Sequence, residues 1–382
     1  MQVRLLKAQH SIESMTKPYL TEMLPCNSAG LATAAALLAQ GETVAVPTET
    51  VYGLAANASS TQAISRIYAA KERPTYNPLI VHVGRALRNI AALEDRQFVL
   101  ASAMTNDSRR IADRLMSEFW PGPLTLVMPR GKNLPDAVAG GLPTVGFRMP
   151  SHDKFLDLLD LSGLPLAAPS ANRSCRISPT TAEHVRQELD GRIPLILDGG
   201  PARIGVESTI VAIGERGELQ LLRPGGLPIE ALEAIAGSKL LRASDGERPL
   251  APGMTREHYA PTRPLILASQ STSADISRQL NMLGQPTRVG VIHLFSSDNA
   301  MTALHLPAAI TPTVTISLND IGDGRAAAAS LFGALRAMDE ADVGAIIAEF
   351  PEGRAYGLWP AVADRLTRAA AKWSAKMLGV RP

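Results

Sequence analysis

Pro47-Thr48-Glu49-Thr50-Val51-Tyr52-Gly53-Leu54, Lys71-Glu72-Arg73-Pro74 and, much later, Ser170-Ala171-Asn172 are the stretches whose side chains could do chemistry. In the first, hydroxyls and a carboxylate follow the apolar run Val44-Ala45-Val46, and polar groups at a strand end usually face a cleft. In the second, two cations stand beside a proline. Arg forks onto paired oxygens and Lys supplies a compact charge, so a stiffened pair of this kind suits a polyphosphate. Asn77 and His82 follow, with His82 sharing a strand face with Ile80. Each taken singly also fits a solvated helix end or a satisfied histidine; the group together argues for a nucleotide-activating site.

Thr144-Val145-Gly146-Phe147-Arg148 puts Thr144, Gly146 and Arg148 on one strand face, which suits a carboxylate clamp and equally a surface ion pair. Ala168-Pro169-Ser170-Ala171-Asn172 follows an apolar strand, and a hydroxyl-rich loop from Ser174 to Ser178 leads toward a helix. Orphan N–H groups and the helix dipole would favour an anion there, although turn chemistry explains the same residues.

The elements that must position these groups alternate. Strands are expected at 43–46, 79–83, 124–128, 144–148, 193–197, 208–213 and 219–223, and helices at 30–39, 61–70, 109–119, 152–160 and 180–189. This pattern describes a mixed or mostly parallel α/β sheet with helices against it. Ser178 as cap and Pro179 at the first helical position predict where the last helix begins. Residues 1–27 read as a loose extension, 28–240 as the main domain and 241–263 as a linker. The linker is rich in proline yet carries Pro252-Gly253-Met254 and His258-Tyr259-Ala260-Pro261; a spacer docked on the surface fits its composition too. Residues 264–382 follow as a smaller α/β unit, with strands near 264–268, 287–294, 312–317 and 343–348. Gly322-Asp323-Gly324-Arg325-Ala326-Ala327 matches a dinucleotide fingerprint, but an alanine-rich helix start explains it as well.

Composition narrows the function. A chain of 382 residues exceeds one core of about 150, and a net charge of +2 provides no global field for nucleic acid or an anionic membrane. Aromatic residues at 4% argue against a stacking platform for single strands. Cys26 and Cys175 form no framework and no thiolate metal site, which fits a reducing cytoplasm. Neither a membrane span nor a signal peptide is readable. No G-x-x-x-x-G-K-[ST] loop, G-x-S-x-G elbow or H-E-x-x-H helix is present, so the common ATPase, hydrolase and zinc-protease routes are closed.

PTETVYGLAAN, KERPTYNPLIVHV, FWPGPLTLV, TVGFRMP, APSANRS, ISPTTAEHV, DGG, GVESTIV, LRPGG and PGMTREHYAP occur in this order across residues 28–263. This series resembles the Sua5/YrdC family of threonylcarbamoyl-AMP synthases, in its longer two-domain Sua5 form. The resemblance implies a YrdC-like twisted mixed sheet with a concave active-site surface, and a Rossmann-like C-terminal domain. It also implies formation of L-threonylcarbamoyladenylate and pyrophosphate from L-threonine, bicarbonate and ATP, with Mg²⁺ accompanying the nucleotide. The product serves the threonylcarbamoyladenosine modification of tRNA through a separate transferase complex, with tRNA itself bound weakly or not at all. By the same resemblance Thr50, His82, Arg148, Ala168 and Ser208 surround threonine. Arg73, Asn77, Thr144, Ser170, Asn172, Ser178, Arg223 and His258 serve ATP or the adenylate, Lys71 and Arg73 act on the phosphates, and His258 makes the linker a lid. Cys175 stands where the family commonly has Gly, and Trp359 and Asp364 where Gly and Asn are usual. Two rivals share the fold: a non-catalytic RNA-binding or ribosome-maturation module, and a carbamoyl-transfer domain of the hydrogenase-maturation type, which expects zinc fingers absent from this sequence.

Overall fold

Short apolar strands, many buried on both faces, dictate a sheet covered on both sides. In the computed structural model, which describes residues 19–242, 250–254, 258–268, 273–295, 306, 310–318 and 322–377, these strands build two sheets. The large one contains β1 (Glu22–Pro25), β2 (Val44–Val46), β3 (Gly53–Asn57), β4 (Ile80–His82), β5 (Leu124–Pro129), β6 (Thr144–Arg148), β7 (Leu166–Ala167), β8 (Leu195–Asp198), β9 (Thr209–Ile213), β10 (Leu219–Arg223) and β11 (Leu241–Arg242). Their spatial order is β1-β8-β2-β3-β7-β4-β6-β5-β9-β10-β11. Parallel pairs such as β4 with β6 and β5 with β9 alternate with antiparallel ones such as β3 with β7 and β5 with β6, so the sheet is mixed.

The structure corrects the sequence reading at several points. Residues 22–25, expected in a loose extension, are β1 and pair in parallel with β8. β3 lies in a stretch where no strand was expected: Gly-Leu-Ala-Ala-Asn carries no alternation, because its first four residues are all buried. β11 lies inside the expected linker and pairs in parallel with β10. The helix expected over 180–189 spans Ala182–Leu189, and its cap is Thr181, whose hydroxyl accepts from the His184 N–H at 3.2 Å. Ser178 and Pro179 precede that helix, so its start lies three residues beyond the one expected at Ser178.

Two helices position the site. Helix Ser28–Ala39 starts at Asn27, whose side chain accepts from Gly30 N at 2.9 Å. Only glycine fits at position 30, because a Cβ there would stand 2.1 Å from the Pro25 carbonyl oxygen. Helix Thr61–Lys71 is capped by Ser60 and ends where Glu72 turns left-handed at φ 52°. That ending brings Lys71 and Arg73 to the middle of the sheet, where β3, β7 and β4 are neighbours.

The small sheet is fully parallel, in the order β12 (Leu265–Ala268), β15 (Ala345–Glu349), β13 (Val289–His293), β14 (Val314–Ser317). Helices Ser273–Met282, Arg325–Glu340 and Trp359–Met377 connect and flank it. The Gly322 to Ala327 motif does stand between a strand and a helix, the context its sequence reading lacked. Its approach is nevertheless taken up by the chain itself. Leu358 N–H donates to the Asp323 carbonyl at 2.7 Å, and a Cβ on Gly324 would stand 2.7 Å from Trp359 N.

The core of this second unit continues into the first. Phe332, Leu335, Trp359 and Leu366 form one cluster with Val51, Ile177, Val206 and Tyr259. At Gly205 the backbones nearly touch, since a Cβ there would lie 2.4 Å from the Ala328 carbonyl oxygen.

Candidate active site

The ends of β3, β4, β6, β7, β9 and β10 converge on one cavity. Of the residues expected to surround threonine, Thr50, His82, Arg148, Ala168 and Ser208 all line it. Of those expected to serve the nucleotide, Arg73, Ser170, Arg223 and His258 line it too. Lys71, Asn77, Thr144, Asn172 and Ser178 are not among the lining residues, and four of these hold the lining from behind.

Arg73 shows how. Its Nη2 donates to Asn77 Oδ1 at 2.6 Å and to the Pro78 carbonyl at 2.8 Å, and its Nε to the Asn77 carbonyl at 3.3 Å. Among the described residues Nη1 has no protein partner, and Arg73 lines the cavity. Asn77 is therefore a brace for Arg73. Burial lowers the Arg73 guanidinium to about 10, which leaves it charged at neutral pH.

Lys71, 1% exposed, donates from Nζ to the carbonyls of Ser170 and Asn172. It ties the helix end to the loop that presents Ser170. Burial first, and Arg73 second, push its amine well below the usual lysine range. Asn172 Nδ2 closes the same loop onto the Arg173 and Arg176 carbonyls at 2.8 Å each, and its Oδ1 is buried without a partner.

Arg148 repeats the logic across the cavity. Its Nη2 meets Glu49 Oε1 at 2.6 Å and its Nε the Gly122 carbonyl at 3.1 Å, again leaving Nη1 without a protein partner among the described residues. The Glu49 and Arg148 side chains are 2% and 4% exposed, so this is a buried pair and not the surface salt bridge the sequence left open. Beside it His82 is pushed down to about 3, by burial first and by the Arg148 charge second, so its ring is neutral at neutral pH. Its Nδ1 is buried with no partner. Ser208 Oγ lies 2.8 Å from Thr125 Oγ1 and receives Arg223 Nη2 at 3.2 Å.

The linker forms part of the wall. Arg223 Nη1 donates to the Pro252 carbonyl at 2.9 Å, and Pro252, Gly253, His258 and Tyr259 all line the cavity. Ala251 packs on Ile80, Ile210 and Leu222. A spacer lying on the surface would make none of these contacts; residues 255–257, inside the lid expected at 252–261, lie outside the described residues. His258 is brought to about 3, chiefly by burial, and its Nδ1 is unpartnered.

Sequence reasoning missed Glu49 and Glu207. Each sits inside a quoted motif, but nothing in a motif distinguishes a carboxylate that braces an arginine from one that faces water. Cys175, flagged as the residue in a glycine position, adopts φ 64°, the left-handed region that favours glycine. Among the described residues no three His, Cys, Asp or Glu side chains converge to hold a metal ion, and no helix is long and apolar enough to cross a membrane.

Comparison with known proteins agrees with the fold and the motif order. A family model described as "Telomere recombination" matches residues 36–225, and one described as "Threonylcarbamoyl-AMP synthase, C-terminal domain" matches residues 227–371. The chain is 42% identical over 359 residues to the threonylcarbamoyl-AMP synthase of Bacillus subtilis, covering 92% of this chain and 96% of that protein. It is 40% identical over 346 residues to the enzyme of Pyrococcus abyssi, covering 88% and 93%. The crystal structure of P. abyssi Sua5 complexed with L-threonine superposes with a TM-score of 0.74 at 36% identity, covering 93% of this chain and 98% of that one. On domain matches, identity and architecture together, the chain belongs to the Sua5 family of threonylcarbamoyl-AMP synthases.

Proposed function

We propose that this protein joins L-threonine, bicarbonate and ATP into L-threonylcarbamoyladenylate, releasing pyrophosphate and water. The observation that carries the reading is the pair of braced arginines, Arg148 and Arg73, which line the same cavity and each keep one nitrogen without a partner among the described residues. One suits a carboxylate and the other a phosphate chain. A relative of the same architecture is complexed with L-threonine.

Arg148 takes the threonine carboxylate. Neutral His82 and the hydroxyls of Thr50 and Ser208 meet the amine and the side-chain hydroxyl, and Ala168 packs against the methyl group. Bicarbonate loses its hydroxyl as water, either before attack, to give carbon dioxide, or on attack by the deprotonated threonine amine; a C–N bond forms, the nitrogen gives up one proton, and a carbamate results. A carbamate oxygen then attacks the α-phosphorus, the bond to the β-phosphate oxygen breaks, and pyrophosphate leaves with that electron pair. Placement of the two reactants and stabilisation of the phosphate charge by Arg73 and Arg223 supply the catalysis, with no covalent enzyme intermediate. Lys71 and Asn172 hold Ser170 in reach of the nucleotide, Asn77 holds Arg73, and Ser178 acts through Glu207. Thr144, half-buried at the start of β6, serves the nucleotide only from outside the cavity described. Mg²⁺ arrives as part of the ATP substrate. His258 and Pro252 keep water from a carbamate that would otherwise decompose. The adenylate passes to a separate transferase acting on tRNA.

The test uses ¹³C-bicarbonate with ATP, Mg²⁺ and L-threonine. A threonylcarbamoyladenylate carrying the label is expected; AMP without a labelled adduct would overturn the assignment.

A further inference from the structure

Glu207 lines the cavity yet is 6% exposed, and its carboxylate has two protein partners on opposite sides. Ser178 Oγ donates to Oε1 at 2.6 Å from within the first domain. Arg365 Nε donates to Oε2 at 2.7 Å from helix Trp359–Met377 of the second domain. Arg365 is fully buried, its Nη1 meets Asp364 Oδ2 at 2.5 Å, and its guanidinium lies 5.0 Å from the centroid of the Tyr259 ring. Asp364 in turn receives Arg368 Nε at 2.9 Å, and Arg368 Nη1 donates to the Met254 carbonyl at 3.1 Å. One chain of contacts therefore runs from the second domain to Glu207 and to both ends of the linker wall.

A carboxylate in the wall of a cavity meant for a triphosphate repels it unless a cation cancels its charge. Removing one partner of a buried pair strands the other. Resting on the reading that ATP occupies this cavity, we infer that Arg365 is a positioning residue for the nucleotide. It neutralises Glu207 from behind, alongside Arg223, and holds it against Ser178, so the side of the site that the proposed reading gives to the nucleotide residues Arg223 and Ser178 is completed by the second domain. The threonine side, built from Arg148, Glu49 and His82, receives nothing from Arg365.

Four proteins test this: wild type, Arg365→Gln, Arg365→Lys and the double variant Glu207→Gln with Arg365→Gln. ATP and threonine affinities are measured by calorimetry alongside the KM values for pyrophosphate release. Arg365→Gln should raise the ATP KM and dissociation constant at least about tenfold while threonine affinity stays within about twofold; the double variant, whose buried amide carries no charge, should regain most of the loss. An unchanged ATP affinity, an equal loss for threonine, or a double variant no better than the single one would overturn the inference. If Arg365→Gln does not fold, Arg365→Lys is read the same way. A threefold or larger loss confined to ATP is then expected, and no loss contradicts the idea. A wild type that binds ATP but forms no adenylate would sink the proposed reaction while the calorimetric comparison still decides the role of Arg365.

Discussion

Arg148 and Glu49 bury opposite charges side by side, and breaking such a pair costs more than losing a contact. Arg148→Ala should lower stability by about 3–5 kcal/mol because Glu49 is left charged and unpartnered. Arg148→Lys keeps a charge but gives up the fork; it should fold, hold ATP normally and raise the threonine KM at least about tenfold. Titration calorimetry with each substrate checks this, and equal weakening of both would contradict the assignment. Cys175 makes a second prediction at this scale. A side chain at φ 64° costs about 1 kcal/mol relative to glycine, so Cys175→Gly should raise the denaturation midpoint by a corresponding amount. An unchanged midpoint would show that the loop absorbs the strain. The types of these residues were legible: Arg148 on a face with Gly146, His82 with Ile80, and a side chain in a glycine position. What sequence could not give was which groups face ligand and which face protein. Lys71, Asn77 and Asn172 have the chemistry of phosphate ligands, and once buried they spend it on carbonyls and on Arg73, because a buried polar group without a partner is costly.

At the scale of elements, the linker offers the sharpest test. Gly253 sits at φ 79°, and a Cβ there would lie 2.7 Å from Tyr259 Oη and 3.0 Å from Arg223 Nη1. Gly163 sits at φ 63° with nothing within 4 Å of the same atom. Alanine at either position should cost about 1 kcal/mol of backbone strain. Only Gly253→Ala should also displace the wall formed by the linker, and pyrophosphate release should fall by about tenfold or more. Equal activity in the two variants would reduce the linker to a tether. The second domain's element order, strand, helix, strand, strand, helix, strand, helix, was readable because its strands are separate apolar or alternating runs and each helix is longer than two turns. β1, β3 and β11 were not. β1 and β11 are stabilised by pairing with β8 and β10, which no local pattern encodes, and β3 lacks the alternation that marks a half-buried strand. The start of helix Ala182–Leu189 was misplaced because Ser178 has a better use, its bond to Glu207, than capping.

At the scale of the whole molecule, buried histidines tie stability to pH. His82 and His258 are both lowered from 6.5 to about 3, so between those values the unfolded chain binds protons that the native protein refuses. Stability should therefore fall as pH drops from about 6.5, and His82→Gln should flatten the slope; urea midpoints across this range check it. Glu207 acts later: burial raises its carboxyl, but Arg365, Arg223 and its hydrogen bonds outweigh that and hold it at about 2 against 4.5. The stability it provides is complete above about 4.5 and is lost as pH falls toward 2. A midpoint insensitive to pH would mean the histidines are hydrated in solution. The division into two α/β units was visible in the chain, but their shared core was not, because Val51, Val206 and Phe332 lie far apart in sequence and are brought together only by the tertiary fold. On the proposed reading one cavity holds threonine and ATP together for adenylate formation. Pyrophosphate release by the purified protein with ATP, Mg²⁺ and bicarbonate, compared between L-threonine, L-serine and no amino acid, tests it most directly. Release that depends on L-threonine, falls with L-serine and is absent without an amino acid is predicted; release that ignores the amino acid, or none at all, would contradict it.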